Sequence, residues 1–207
     1  MIGIFGGTFD PVHQGHLQLA RQAQEQLSLD SIQFMPCASP VHRQRPAAKA
    51  GHRLAMLQRV IADYPGWRIN STELDRGGPS YMADSLRQIH SQQLDNKLCL
   101  LLGADAFNTI QSWRSPAEIL RLTHLVVCRR PGTELDRNIY RRYWIDDPGL
   151  LQAATGGCIL SLDIAENPCS STEIRHLLGN GESVADYLAP AVIDYINQYQ
   201  LYGTKCE

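Results

Sequence analysis

The sequence predicts an α/β fold: an open, mostly parallel sheet with helices on both faces and a small helical part towards the C-terminal end. Three observations carry this expectation. Short apolar runs recur along the 207 residues. Several of them are continuously apolar rather than alternating, the mark of strands covered on both faces, as in parallel sheets. Between them lie stretches with helical spacing of apolar side chains, and strand–helix alternation builds βαβ units.

Taken in order, residues 2–6 read as a buried strand, and residues 17–27 as a helix with Leu17, Ala20, Ala23 and Leu27 on its apolar side. Residues 31–36 are the second strand, followed by an irregular stretch rich in Pro, Arg and Ala up to residue 50. A helix over 52–62 carries Leu54, Leu57, Val60 and Ile61 on one side. Residues 67–74 are predicted as a strand, 81–92 as a helix, and 98–103 as a strand of nearly unbroken apolar residues. A helix over 116–122 leads to a strand over 125–128. Residues 131–157 are polar and turn-rich with some helical character, and give no clear elements. An amphipathic helix over 190–202, through Val192, Ile193, Ile196 and Tyr199, reads as packing against the core. Ligands in such sheets bind beyond the carboxyl ends of the strands. The chemistry is therefore expected just after Phe5, Phe34, Leu102, Cys128 and Leu162.

Length suits a single domain over residues 1–207, with residues 170–203 as its C-terminal helical part. At 43% hydrophobic and 19% charged residues, the chain can pack a core. A formal net charge of −2 gives no global attraction to nucleic acid or anionic membrane, which favours a small anionic substrate held by a local cluster of basic groups. The six cysteines are scattered without a C-x-x-C pair, as expected of core residues in a reducing compartment. There is no signal-peptide pattern and no apolar run of membrane-span length, so the cytoplasm is the expected location.

The first strand runs into Gly6-Gly7-Thr8-Phe9-Asp10-Pro11-Val12-His13-Gln14-Gly15-His16, with a helix behind it. Glycines at a strand exit let backbone approach a ligand, and a helix N-terminus favours an anion. His13 and His16 can both face that point, where imidazole N–H groups would donate to phosphate oxygens and spread charge built up in phosphoryl transfer. The same spacing also fits structural histidines, or two ligands of a zinc site that needs a third. The loop is neither a Walker A nor a dinucleotide fingerprint. A second constellation, Ser170-Ser171-Thr172-Glu173-Ile174-Arg175, opens a helix. It reads as capping residues, as a polyphosphate grip, or as both.

Together these two motifs resemble the signature of the HxGH nucleotidyltransferase superfamily. Within it the chain is most similar to the bacterial nicotinate mononucleotide adenylyltransferases. The likeness spans nearly the whole chain, including residues 36–43, Pro79-Ser80-Tyr81, Leu102-Gly103-Ala104-Asp105 with Trp113, Arg130-Pro131-Gly132, and residues 190–202.

The resemblance implies a Rossmann-like fold and an adenylyl transfer from ATP to nicotinate mononucleotide without a covalent intermediate. It implies that His13, His16 and Arg175 are catalytic. ATP would be met by Gly6, Gly7, Thr8, Phe9, Gly103, Asp105, Ser171 and Thr172 besides these. For Asp105 a helix N-cap is the plainer reading. The mononucleotide would be met by Arg43, Tyr81, Met82, Trp113 and Arg130, with Trp113 either stacking on the pyridine ring or filling the core. Mg²⁺ is expected with ATP, without a dedicated protein metal site and without a tightly bound organic cofactor. Neither nucleic acid nor membrane is an expected partner.

Met82 stands where the family usually has Thr, so a hydroxyl donor for the nicotinate carboxylate is missing. Alternative readings are a nicotinamide mononucleotide or phosphopantetheine adenylyltransferase. A non-catalytic nucleotide-binding regulator is the alternative of another class.

Overall fold

In the computed structural model, residues 1–41, 45–92, 96–129, 132–165 and 167–204 are described. Buried apolar runs supply a seven-stranded sheet in which every pairing is parallel. Within it β1 (Ile2–Gly7) is flanked on one side by β2 (Ser31–Pro36) and then β4 (Trp67–Ile69). On the other side come β6 (Leu98–Gly103), β7 (His124–Arg129), β9 (Ile159–Asp163) and, at the edge, β8 (Trp144–Ile145). A separate parallel pair joins β3 (Ser39–Pro40) to β5 (Pro79–Ser80). The helices are α1 (Gln14–Leu27), α2 (Ala50–Ile61), α3 (Thr72–Arg76), α4 (Met82–Gln92), α5 (Ala104–Asn108), α6 (Pro116–Leu122), α7 (Leu150–Ala153), α8 (Ser171–Asn180) and α9 (Pro190–Gln198).

Successive strand residues face opposite sides of a sheet, and the two faces here carry separate cores. Phe5, Phe34, Leu101, Val126 and Leu160 pack with Leu17, Leu57, Ile174 and Ile196 of α1, α2, α8 and α9. Ile4, Leu100, Leu102 and Val127 pack with Leu86, Phe107 and Ile119 of α4, α5 and α6. The expected doubly covered parallel sheet is therefore present. Its winding reverses between β1 and β6, and such a reversal opens a crevice at the carboxyl ends of the strands. Gly7 and Gly103 end the two strands that bound it.

Three expectations need correction, and one stretch without assigned elements is filled. The strand expected over 67–74 stops at Ile69, and Thr72–Arg76 is helical. Asn70 causes the change: its backbone N–H closes on Phe34, and its side-chain oxygen accepts the Thr72 N–H at 3.1 Å. Helix α1 starts three residues before the first apolar position, because His13 already closes its N-terminus. The helix expected over 190–202 ends at Gln198, and Gln200, at φ 50°, turns the chain into a 3-10 turn over Leu201–Gly203. Residues 131–157 hold β8, α7 and a 3-10 turn, Arg141–Tyr143, all too short to show a period.

Cys99, Cys128 and Cys169 are buried, and no disulfide links the described cysteines; Cys206 lies outside them. No helix of the described residues is long and apolar enough to cross a membrane.

Candidate active site

The loop after β1 folds back over the strand end. Phe9, expected at the ATP site, is itself buried at 1% exposure with φ 50°; its ring packs 5.1 Å from the His16 ring and 5.6 Å from Phe5. Its side chain supports the site from below. His13 takes an extended backbone conformation as the N-cap of α1, and its N–H donates to His16 Nδ1 at 3.2 Å. An Nδ1 that accepts leaves the proton of neutral His16 on Nε2, the nitrogen then able to donate to a phosphate. The two imidazoles lie close together, centroids 3.7 Å apart and planes tilted by 35°. Gly15 permits this arrangement: a Cβ there would come within 3.1 Å of the His13 ring. Two rings with N–H donors therefore stand at the amino end of a 14-residue helix, where its dipole favours negative charge.

Helix α8 closes the site from the other side of the chain. Ser170 is a true N-cap, accepting from the Glu173 N–H at 3.1 Å. Ser171 donates to the carbonyl of Pro11 at 3.1 Å, and Arg175 donates to the carbonyl of Asp10 at 2.8 Å and to Thr172 Oγ1 at 3.3 Å. Capping thus falls to Ser170, while Ser171 and Arg175 tie the same string to the loop after β1.

Two residues that hold this assembly were not expected from the sequence, and a third, Asp10, belongs to the loop without having been given a role. The Asp10 carboxylate is 3% exposed and accepts from the backbone of Ala47 (2.7 Å) and Ala48 (3.0 Å) and from the Tyr202 hydroxyl (2.8 Å). Arg175 Nη1 is 4.0 Å from its other face. Burial, and next the Asp10 charge, push the Tyr202 phenol well above its usual range, so it stays a donor. Arg53, 1% exposed, donates to the carbonyls of Thr8 (2.7 Å), Cys37 (2.7 Å), Ala38 (3.4 Å) and Ala48 (3.3 Å). It is a cationic rivet between the loop after β1 and the segment after β2.

Towards β6, Gly103 has open space around a notional Cβ, so a ligand can approach its backbone. Asp105 is exposed in the first turn of α5 and does not cap it; Gly103 is the N-cap. On the opposite flank the Met82 methyl lies over Gly6, 2.7 Å from where a Cβ would stand. Tyr81 is half-buried, and so is Trp113, which packs against the second core at its edge. The structure thus joins His13, His16, Gly6, Met82, Ser171, Thr172 and Arg175 around one strand end. Arg43 and Arg130 lie outside the described residues.

A groove of about 590 Å³ opens nearby, between Asn108 of α5, the ends of β7 and β9, and residues 133–137. Its arginines are already paired, Arg129 with Asp163 at 2.8 Å and Arg137 with Asp146 at 2.9 Å. Among the described residues no three His, Cys, Asp or Glu side chains form a metal site, so the zinc reading of the histidines finds no third ligand there. Burial pushes the Cys99 and Cys128 thiols up to about 12, away from any nucleophilic role.

The chain is similar to known proteins. Residues 4–177 match the model of the cytidylyltransferase-like family. A protein of Methylococcus capsulatus named "Probable nicotinate-nucleotide adenylyltransferase" is 39% identical over 98% of this chain and 100% of its own length. One from Hydrogenovibrio crunogenus is 38% identical over 98% and 97%. The structure of the Plasmodium falciparum nicotinic acid mononucleotide adenylyltransferase complexed with NaAD superposes with a TM-score of 0.79 at 20% identity, covering 100% of this chain and 98% of that one, which speaks for the fold. Sheet, switch point and histidine loop define a nucleotidyltransferase of the cytidylyltransferase-like class. Within that class the chain belongs to the nicotinate-nucleotide adenylyltransferase family.

Proposed function

We propose that the protein transfers the adenylyl group of ATP to nicotinate mononucleotide, giving nicotinate adenine dinucleotide and pyrophosphate. A phosphate oxygen of the mononucleotide attacks the α-phosphorus of ATP, and the bond from that phosphorus to the bridging oxygen of the β-phosphate breaks. The observation that carries this reading is the close-set pair His13 and His16 at the head of α1, with Arg175 of α8 tied to the same loop through the Asp10 carbonyl. The work left to the protein is to hold two anions that repel each other and to stabilise charge in flight.

His16, with its proton on Nε2, would donate to the α-phosphate as charge builds up, and His13 would share that role. Thr172 and Arg175, with the N–H groups at the head of α8, would hold the β- and γ-phosphates that leave as pyrophosphate. Gly103 and Asp105 would meet the ribose, with the base directed towards the Asn108 groove. Tyr81, Met82 and Trp113 would take the pyridine nucleotide. No acidic cluster among the described residues would cage the Mg²⁺ expected with ATP, which would be held mainly by phosphate oxygens and water, neutralising charge there.

The test is pyrophosphate release from ATP and Mg²⁺ with nicotinate or nicotinamide mononucleotide. Turnover with the acid is expected, and silence with both would end this reading. Replacing His16 by Ala should lower kcat by roughly two to three powers of ten, the scale of losing one charge-stabilising donor. A nearly unimpaired variant would remove His16 from the mechanism. One observation favours a second reading, relaxed use of the amide: the thioether of Met82, over Gly6, offers no donor to a carboxylate.

A further inference from the structure

A chain of contacts leads from the reaction centre to an arginine outside the motifs. The Met82 methyl covers Gly6, Tyr81 precedes Met82 at the head of α4, and the Arg114 guanidinium lies over the Tyr81 ring, 4.7 Å from its centroid. Arg114 follows Trp113 directly, and Ser115, at φ 51°, turns the chain into α6. Arg114 therefore lies against one of the two aromatic residues proposed to hold the pyridine ring and adjoins the other in the chain.

Its charge is only partly neutralised. Arg114 Nη1 is 3.2 Å from one oxygen of Asp84, whose other oxygen is held by Arg87 at 2.9 Å. Arg87 also grips both oxygens of Glu118, at 3.1 and 2.6 Å, and Arg121 lies 3.7 Å from Glu118. Three arginines share two carboxylates, leaving one positive charge over. Asp84 fixes the Arg114 guanidinium through a single N–H, while the group has five in a planar fork. The side chain remains 56% exposed, so an incoming ligand can reach it.

We propose that Arg114 is a specificity-determining residue of the pyridine subsite: its guanidinium binds the carboxylate of a nicotinate ring and sets the preference for acid over amide. This rests on the adenylyl-transfer reading above. Carboxylate and guanidinium form a charge-assisted, planar hydrogen-bonded pair, whereas a neutral carboxamide can use only its carbonyl oxygen towards the same donors. In this chain the arginine supplies the discrimination that the Met82 side chain cannot.

Steady-state kinetics of the wild-type enzyme, Arg114→Gln and Arg114→Lys decide the matter, with both mononucleotides at saturating ATP. In Arg114→Gln the ratio of kcat/KM for acid over amide should fall about tenfold or more, the scale of one charge-assisted hydrogen bond, with the loss on the acid. Arg114→Lys should keep part of the ratio, since it keeps the charge. The acid's KM should rise with ionic strength in the wild type, and much less in Arg114→Gln. An unchanged ratio, or an equal fall for both substrates, would overturn the proposal, the latter showing that Arg114 only positions Tyr81 and Trp113. A wild-type enzyme that turns over neither substrate would instead sink the underlying reading, and this one with it.

Discussion

Arg53 donates to four backbone carbonyls and buries its charge among them. Truncating it leaves those acceptors unsatisfied, so Arg53→Ala should lose about 2–4 kcal/mol of stability, seen as an earlier denaturation midpoint. A midpoint close to wild type would mean that water replaces the guanidinium. Gly15 predicts the opposite pattern. Ala is the better helix former by about 1 kcal/mol, yet its Cβ would press on the His13 ring at 3.1 Å. Gly15→Ala should keep or raise thermal stability while lowering kcat about tenfold or more, because small misplacements at a reacting centre are costly. Unimpaired turnover in that variant would show that the close pairing of the imidazoles is not needed. The histidine loop is legible in the sequence because its residues are contiguous. Arg53 is partly legible: it shares the buried side of α2 with Met56, Leu57, Val60 and Ile61, at helical spacing. Tyr202 is not, since nothing local ties it to Asp10, 192 residues away.

Among the elements, the long central ones follow from periodicity, and those that differ are short or governed by one polar side chain. β2, β6 and α6 lie on their expected residues because a fully buried strand or an amphipathic helix imposes a strong pattern. β8, with two residues, and α7, with four, carry too few positions to show one. Helix α3 replaces an expected strand because Asn70 turns the backbone, a cue that apolar spacing overlooks. Helix α8 shows how one string of residues can have two roles: Ser170 spends its oxygen on capping, which leaves Ser171 and Arg175 to reach across to the histidine loop.

For the molecule as a whole, His124 sets an acid limit. It starts β7 at 0% exposure, with Nδ1 accepting from the Cys158 N–H and Nε2 facing the Ala154 carbonyl, each at 3.3 Å. Burial lowers its pKa from the ordinary histidine value of 6.5, so the unfolded chain takes up this proton more readily than the folded one. Its stabilising effect is full above 6.5 and declines as pH falls towards the lowered folded value. Wild-type thermal stability should therefore drop between pH 7.5 and 5.5 by more than that of His124→Gln; equal drops would remove His124 as the cause. A different consequence follows from the bond between Tyr202 and Asp10. Chains are made from the amino end, and the histidine loop leaves the ribosome early, but the hydroxyl that steadies it belongs to residue 202. A nascent chain shorter than this can build most of the sheet and still lack the finished support of that loop. Translation thus delivers the histidine loop near the beginning and its last support near the end.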